Sequence, residues 1–169
     1  MQPTGTHEQV VGLLNRKLNV WIEQEDLAYF IPNTVMVQLL GYDSGYKPDV
    51  LMIDRMALAQ EPLWERASVI TLASSVKVLI EVVSTNWPDD YARKFEDYEA
   101  MGISEYWIVD YKGLGGRRYI GVPKQPTITI RNWINGMYQI QLFRRGDVLA
   151  SAQLPGLQLT VDQVLQAGD

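Results

Sequence analysis

The sequence predicts an α/β domain with a mixed β-sheet flanked by helices and a β-rich C-terminal half. Three observations predict it. An apolar pattern of helical period opens the chain, a strand–helix–strand order spans residues 76–110, and two strand-like stretches flank an Asn-Gly turn. A length of 169 residues suits one compact domain better than two.

Val10, Val11, Leu14, Leu18, Trp21 and Ile22 recur at helical spacing, so residues 6–24 read as an amphipathic helix, with Thr6 placed to cap it. Strand-like stretches follow at 27–31 and 34–40, separated by the turn signal Pro32-Asn33. Residues 41–47 read as a loop, and Val50, Leu51, Met52 and Ile53 as a short buried strand. Residues 54–75 have no clear period and contain Pro62, which suits an excursion or a short helix. The run Val76–Val83 is rich in branched residues and apolar on both faces, as central strands are. Pro88 opens a helix that ends near Met101 at Gly102, and Glu105–Asp110 is the next strand. This order suggests a parallel crossover. Thr127–Ile134 and Met137–Phe143 form a hairpin around Asn135-Gly136, and Thr160 caps a final helix.

Composition excludes several chemistries. There is no Cys and the only His is His7, so thiol nucleophiles, disulfides, Cys-ligated zinc and multi-histidine metal sites are ruled out within one chain. A Ser-His-Asp triad would have to use His7 and has nothing else in its favour. The start, Met1–Gln9, lacks the character of a signal peptide, and no run approaches the length of a membrane span. The expectation is a soluble, cytoplasmic protein without a membrane partner. A net charge of −5 argues against a passive DNA coat, though not against an enzyme that holds metal ions on carboxylates.

Asp49, Glu81 and one helix face carrying Asp90 and Lys94 stand out. Asp49 follows Pro48 and enters a buried strand. Glu81 interrupts an apolar run, where a carboxylate is costly unless paired, hydrogen-bonded or bound to a cation. It is either a functional carboxylate or a sheet-edge residue reaching solvent. Asp90, Lys94 and Tyr98 are spaced four apart on one helix face, where the first two form either a surface ion pair or part of a site. A metal site here must be mainly oxygen, which suits Mg²⁺ or Mn²⁺. Such an ion polarises a phosphodiester and activates water, and Lys94 can orient that water.

The motifs also carry a resemblance. Pro48-Asp49, Glu81-Val82-Val83-Ser84, Asp90-x3-Lys94-x3-Tyr98 and the block from Gly102 to Asp110 resemble the Uma-two family of bacterial restriction-endonuclease-like proteins. Gly115–Gly121 and Pro155-Gly156-Leu157 extend the resemblance over most of the chain. It implies a single restriction-endonuclease-like domain, 1–169, of the PD-(D/E)xK nuclease superfamily. By position, Asp49 matches the first acid and Glu81 the second, and Val82 would lend its carbonyl to the metal. Val83 stands where the superfamily lysine normally is, and Lys94 on the helix matches the amine instead.

The implied activity is Mg²⁺-dependent (or Mn²⁺-dependent) hydrolysis of DNA phosphodiester bonds by Asp49, Glu81 and Lys94. The alternative is a catalytically inactive nuclease-fold module that binds nucleic acid or a protein partner. His7 and Glu8 lie where related nucleases bring a further acid or His, although an exposed or capping role for His7 is the plainer reading. A homodimer would suit the cutting of two antiparallel strands. Arg117, Arg118, Lys124, Arg131, Arg144 and Arg145 form either a solvated face or a set of phosphate contacts beside the cleft, with Trp133 or Trp87 stacking.

Overall fold

The computed structural model describes residues 3–39 and 41–169. Met1 and Gln2 of the polar start, and Leu40 of the expected strand 34–40, lie outside the described residues.

Helix α1 (Gly5–Gln24) buries His7, Val10, Leu14, Leu18, Trp21 and Ile22, six positions that return to one side every three or four residues. Its cap is Thr4 rather than Thr6: the Thr4 hydroxyl accepts from the His7 N–H at 3.3 Å. Thr6 already lies in the first turn, and its hydroxyl is 3.1 Å from that of Tyr111.

The expected pair of strands at 27–31 and 34–40 shrinks to β1 (Tyr29–Phe30) and β2 (Met36–Val37). They do not pair with each other. β1 joins the main sheet beside β3 (Val50–Asp54), whereas β2 pairs in parallel with β4 (Val69–Ile70) in a separate two-stranded sheet. Pro32-Asn33 thus carries the chain from one sheet to another. The aperiodic stretch 54–75 holds a 3₁₀ segment (Arg55–Gln60), the short helix α2 (Trp64–Ala67), β4 and a 3₁₀ turn at Ala73–Ser75.

β5 (Val76–Val82) is central, and its parallel neighbour β6 (Glu105–Asp110) is buried along its whole length. β7 (Thr127–Ile134) and β8 (Met137–Phe143) complete a six-stranded sheet of order β1-β3-β5-β6-β7-β8. β5 and β6 run parallel, and the other neighbours are antiparallel. Asn135 and Gly136 both take positive φ, 52° and 89°, as the tight hairpin turn demands.

The crossover between β5 and β6 is helical, with one departure from expectation. Trp87 and Pro88 start the helix as expected, but the next turn, Asp89–Arg93, is π-helical before it tightens into α3 (Lys94–Met101). Gly102 closes α3 at φ 81°, a conformation that costs glycine nothing. A four-residue helix, α4 (Arg117–Ile120), interrupts the β-rich half where none was expected. Thr160 caps α5 (Val161–Ala167) in a capping box with Gln163.

Two apolar layers sandwich the sheet. Val78, Ile80, Val82, Trp107 and Val109 face α1 and α5. Leu79, Val83, Tyr106 and Ile108 face α3 and α4, together with Tyr91, Tyr98 and Ile120. Each fully buried aliphatic side chain contributes roughly 1.5–3 kcal/mol relative to exposure. The strand ends beside Val82 are therefore held by rigid, close-packed elements on both faces.

Candidate active site

Topology brings three strand ends to one place. β3 runs antiparallel to β5, so its beginning lies against the end of β5, with Val50 opposite Ile80. β6 runs parallel to β5, so the two end together, with Val109 opposite Val82. Asp49, one residue before β3, accepts the Val82 N–H on Oδ2 at 2.7 Å. The alternation of β5 turns Glu81 to the α3 face, between Leu79 and Val83 of the core layer.

There Glu81 is 2% exposed, and it sits in the centre of the sheet rather than at an edge. The Tyr98 hydroxyl donates to its Oε1 at 3.0 Å, and Lys94 Nζ stands 3.0 Å from Oε2. Lys94 also donates to Asp90 Oδ1 at 2.7 Å, one helical turn earlier. The Asp90 backbone is itself anchored, because its carbonyl accepts from the buried Tyr106 hydroxyl at 2.8 Å. Asp90 is buried and Lys94 half-buried, so the pair is largely shielded rather than a solvated surface pair.

Burial pushes the Glu81 carboxyl up to about 8, with the charges of Asp49 and Asp90 adding to the rise and Lys94 opposing it. Burial also raises Asp90. Burial alone would lower Lys94, but the carboxylates of Glu81 and Asp90 outweigh it and hold the amine protonated. The set is one cation shared by two acids, with a third acid close by.

His7 is neither exposed nor the cap. It is 5% exposed, and its Nε2 donates to the Val82 carbonyl at 3.0 Å and lies 3.4 Å from Asp49 Oδ2. Its Nδ1 is 3.1 Å from Glu8 Oε1. The hydrogen bond to Asp49 is the largest cause raising His7 to about 9, against the opposing effect of burial, so the ring is a cation at neutral pH. Glu8 itself is exposed.

His7, Asp49, Glu81, Asp90 and Lys94 line one cleft of about 320 Å³, whose walls include Lys47 and Lys112 and whose end is the start of α1. Asp49, Glu81 and Val82 all line this cleft, and two carboxylates with a carbonyl are oxygen donors of the kind Mg²⁺ or Mn²⁺ takes. Among the described residues no group of three or more His, Asp or Glu converges to cage an ion alone. A pair of carboxylates with water and phosphate oxygens completing the shell is the habit of Mg²⁺.

The six basic residues of the C-terminal half do not line the cleft. Arg131 is 2% exposed, with its guanidinium 4.0 Å from the Phe95 ring centre. Arg144 donates to the Ile120 carbonyl, Lys124 donates to the Leu114 carbonyl, and Arg118 stacks on Tyr119. Trp87 packs edge-on against Tyr91 and Tyr119, and Trp133 lies against Gly102. The cleft's own rim lysines, Lys47 and Lys112, escaped the sequence reading. The signal was topological, since Lys47 sits two residues before Asp49 and Lys112 two residues after Asp110, at strand ends that β5 brings together.

A mixed sheet with helices on both faces and acids gathered where the central strands end is the architecture of restriction-endonuclease-like proteins. The chain shares its fold with the crystal structure of a putative nuclease belonging to DUF820 from Anabaena variabilis, at a TM-score of 0.70 and 14% identity, over 99% of this chain and 84% of that one. The family model Uma2, described as putative restriction endonuclease, matches residues 1–162, and the chain belongs to that family. No curated protein matches it. Among the described residues no helix is long and apolar enough to cross a membrane.

Proposed function

We propose that this protein is a Mg²⁺-dependent (or Mn²⁺-dependent) endonuclease that hydrolyses DNA phosphodiester bonds, built as one domain over residues 1–169. The observation that carries this reading is the convergence of Asp49, Glu81 and Lys94 in one cleft, with Lys94 Nζ 3.0 Å from Glu81.

Asp49, Glu81 and the Val82 carbonyl would hold the metal. When bound, the ion polarises the phosphodiester and lowers the pKa of a water in its shell. Lys94 orients that water and offsets the negative charge that grows on the phosphoryl oxygens. Asp90 fixes the Lys94 amine at 2.7 Å, which supplies from a helix what Val83 does not supply from the strand. His7 positions Asp49 and the Val82 carbonyl through its Nε2 proton. A cytoplasmic location, where a cell's DNA is met, accords with this role. Cutting both strands would favour a homodimer, for which light scattering is the check.

The test is nicking of supercoiled plasmid DNA in Mg²⁺ or Mn²⁺. Wild type should cut, and Asp49→Ala, Glu81→Ala and Lys94→Ala should each lose about 10²-fold or more in rate. Equal rates for all four proteins would sink the assignment. The second reading, a non-catalytic module for nucleic acid or a protein partner, is favoured by the saturation of Lys94 between Glu81 and Asp90. It predicts no Mn²⁺ binding in a calorimetric titration.

A further inference from the structure

We infer that Lys47 and Lys112 form a phosphate-binding rim that seats the nucleic-acid backbone on both sides of the acidic floor. This rests on the reading of the cleft as a phosphodiester site, and it adds the groups that would hold the rest of the substrate.

The placement follows from the sheet. Lys47 lies two residues before Asp49 on the β3 side, and Lys112 lies two residues after the end of β6. β3 and β6 flank β5 on opposite sides, so Glu81 sits between the two lysines at the same end of the sheet. Two strand spacings separate β3 from β6, about 10 Å in all. Each lysine adds a flexible four-carbon stem, so the two ammonium groups reach phosphates on either side of one held at the centre.

Both side chains are exposed and both line the cleft. Among the described residues, no carboxylate lies within 4.0 Å of either amine, although the cleft holds Asp49, Glu81 and Asp90. Lys94, by contrast, is consumed by its two acids. The Lys112 amine stands 5.2 Å from the centre of the Tyr111 ring, a buried side chain that steadies it at the rim. Behind it, Asp110 accepts the Leu114 and Gly115 N–H groups at 2.8 and 2.7 Å and fixes the turn that carries Lys112.

A protein of net charge −5 repels a polyanion over most of its surface. Two unpaired cations astride the acidic floor provide local attraction where chemistry would take place. They contact backbone phosphates and so carry no sequence information.

The experiment is fluorescence anisotropy of a labelled 30-base-pair DNA duplex, titrated with the full chain in Ca²⁺ over a range of NaCl. Each neutralised phosphate contact contributes about 0.9 to the slope of log K against log salt. K47A and K112A should each lower the slope by about 1, and the double variant should bind roughly tenfold more weakly. K17A, about 15 Å along α1 from His7, should leave the slope unchanged. Thermal melting of the variants should match wild type, since both rim side chains are exposed. A double variant with the wild-type slope, or an equal loss in K17A, overturns the rim. A reduced slope in a protein that cuts no DNA in Mg²⁺ or Mn²⁺ upholds the rim and overturns the nuclease reading. Cleavage with an unchanged slope overturns the rim alone.

Discussion

Glu61 and Glu81 are both buried carboxylates, 7% and 2% exposed, and the groups around them differ in kind. Glu61 is filled by neutral donors close in sequence: the Thr71 and Leu72 N–H groups at 2.9 and 3.1 Å, and the Thr71 and Ser75 hydroxyls at 3.0 and 2.6 Å. Glu105 is held similarly by Trp107, Ser151 and Gln153. Glu81 takes no backbone donor among the described residues. It has one hydroxyl and one amine, and that amine is shared with Asp90. A carboxylate that staples a loop is saturated by fixed dipoles. One that faces a cleft with a single shared cation keeps the capacity to bind another.

Truncation of each acid gives the sharpest contrast. Glu81→Ala should remove about 10²-fold or more of metal-dependent cleavage, roughly 3 kcal/mol of transition-state stabilisation. Its melting temperature should shift less, because Asp90 still pairs with Lys94. Glu61→Ala should do the opposite. Four orphaned donors cost on the order of 3 kcal/mol of stability, a fall of roughly 6–12 °C in Tm, with cleavage per folded molecule intact. Equal effects of the two variants on both measurements would erase the distinction.

Tyr98→Phe is a smaller probe of the same site. It strips one donor from buried Glu81 without opening a cavity, and should cost about 1 kcal/mol in urea unfolding. Its effect on cleavage should be well below that of Lys94→Ala.

Smaller still is the pH effect at Glu105, whose carboxyl burial raises above its ordinary value. The folded state then holds this proton more tightly than the unfolded chain. The group's contribution to stability is greatest at low pH and declines as pH rises from the usual carboxylate range through the folded value. Glu105→Gln has no such proton, so its stability relative to wild type should improve across that window. A difference independent of pH in urea unfolding would contradict this.

Much of the frame was legible in the sequence because local pattern and tertiary role agree there. The α1 stripe, the doubly buried β5, the glycine stop at Gly102 and the Asn135-Gly136 hairpin each need only their own neighbours. The two stretches at 27–31 and 34–40 show the opposite. Pro32-Asn33 marks a change of direction, but not which sheet receives each side. The π-helical turn at Asp89–Arg93 leaves no trace in apolar periodicity, because its extra residue is accommodated by packing.

The site divides along the same line. Glu81 could be singled out because an acid inside an apolar strand is expensive wherever it sits, whereas Asp49 and Lys94 gained weight only from the family resemblance. His7 looked like an ordinary first-turn residue, since its burial comes from the end of β5, 75 positions away. The basic residues of the C-terminal half counted as a patch until placed. Arg131 points into the aromatic layer at Phe95 and Tyr106, and Lys47 and Lys112 hold the rim instead.

The central claim is that Asp49, Glu81 and the Val82 carbonyl bind one divalent ion. An anomalous difference map from crystals soaked in Mn²⁺ measures it directly. The account predicts one strong peak, with all three oxygens at about 2.1–2.5 Å and Lys94 still beside Glu81. A map with no peak there, or with manganese bound elsewhere while the cleft stays empty, would contradict it.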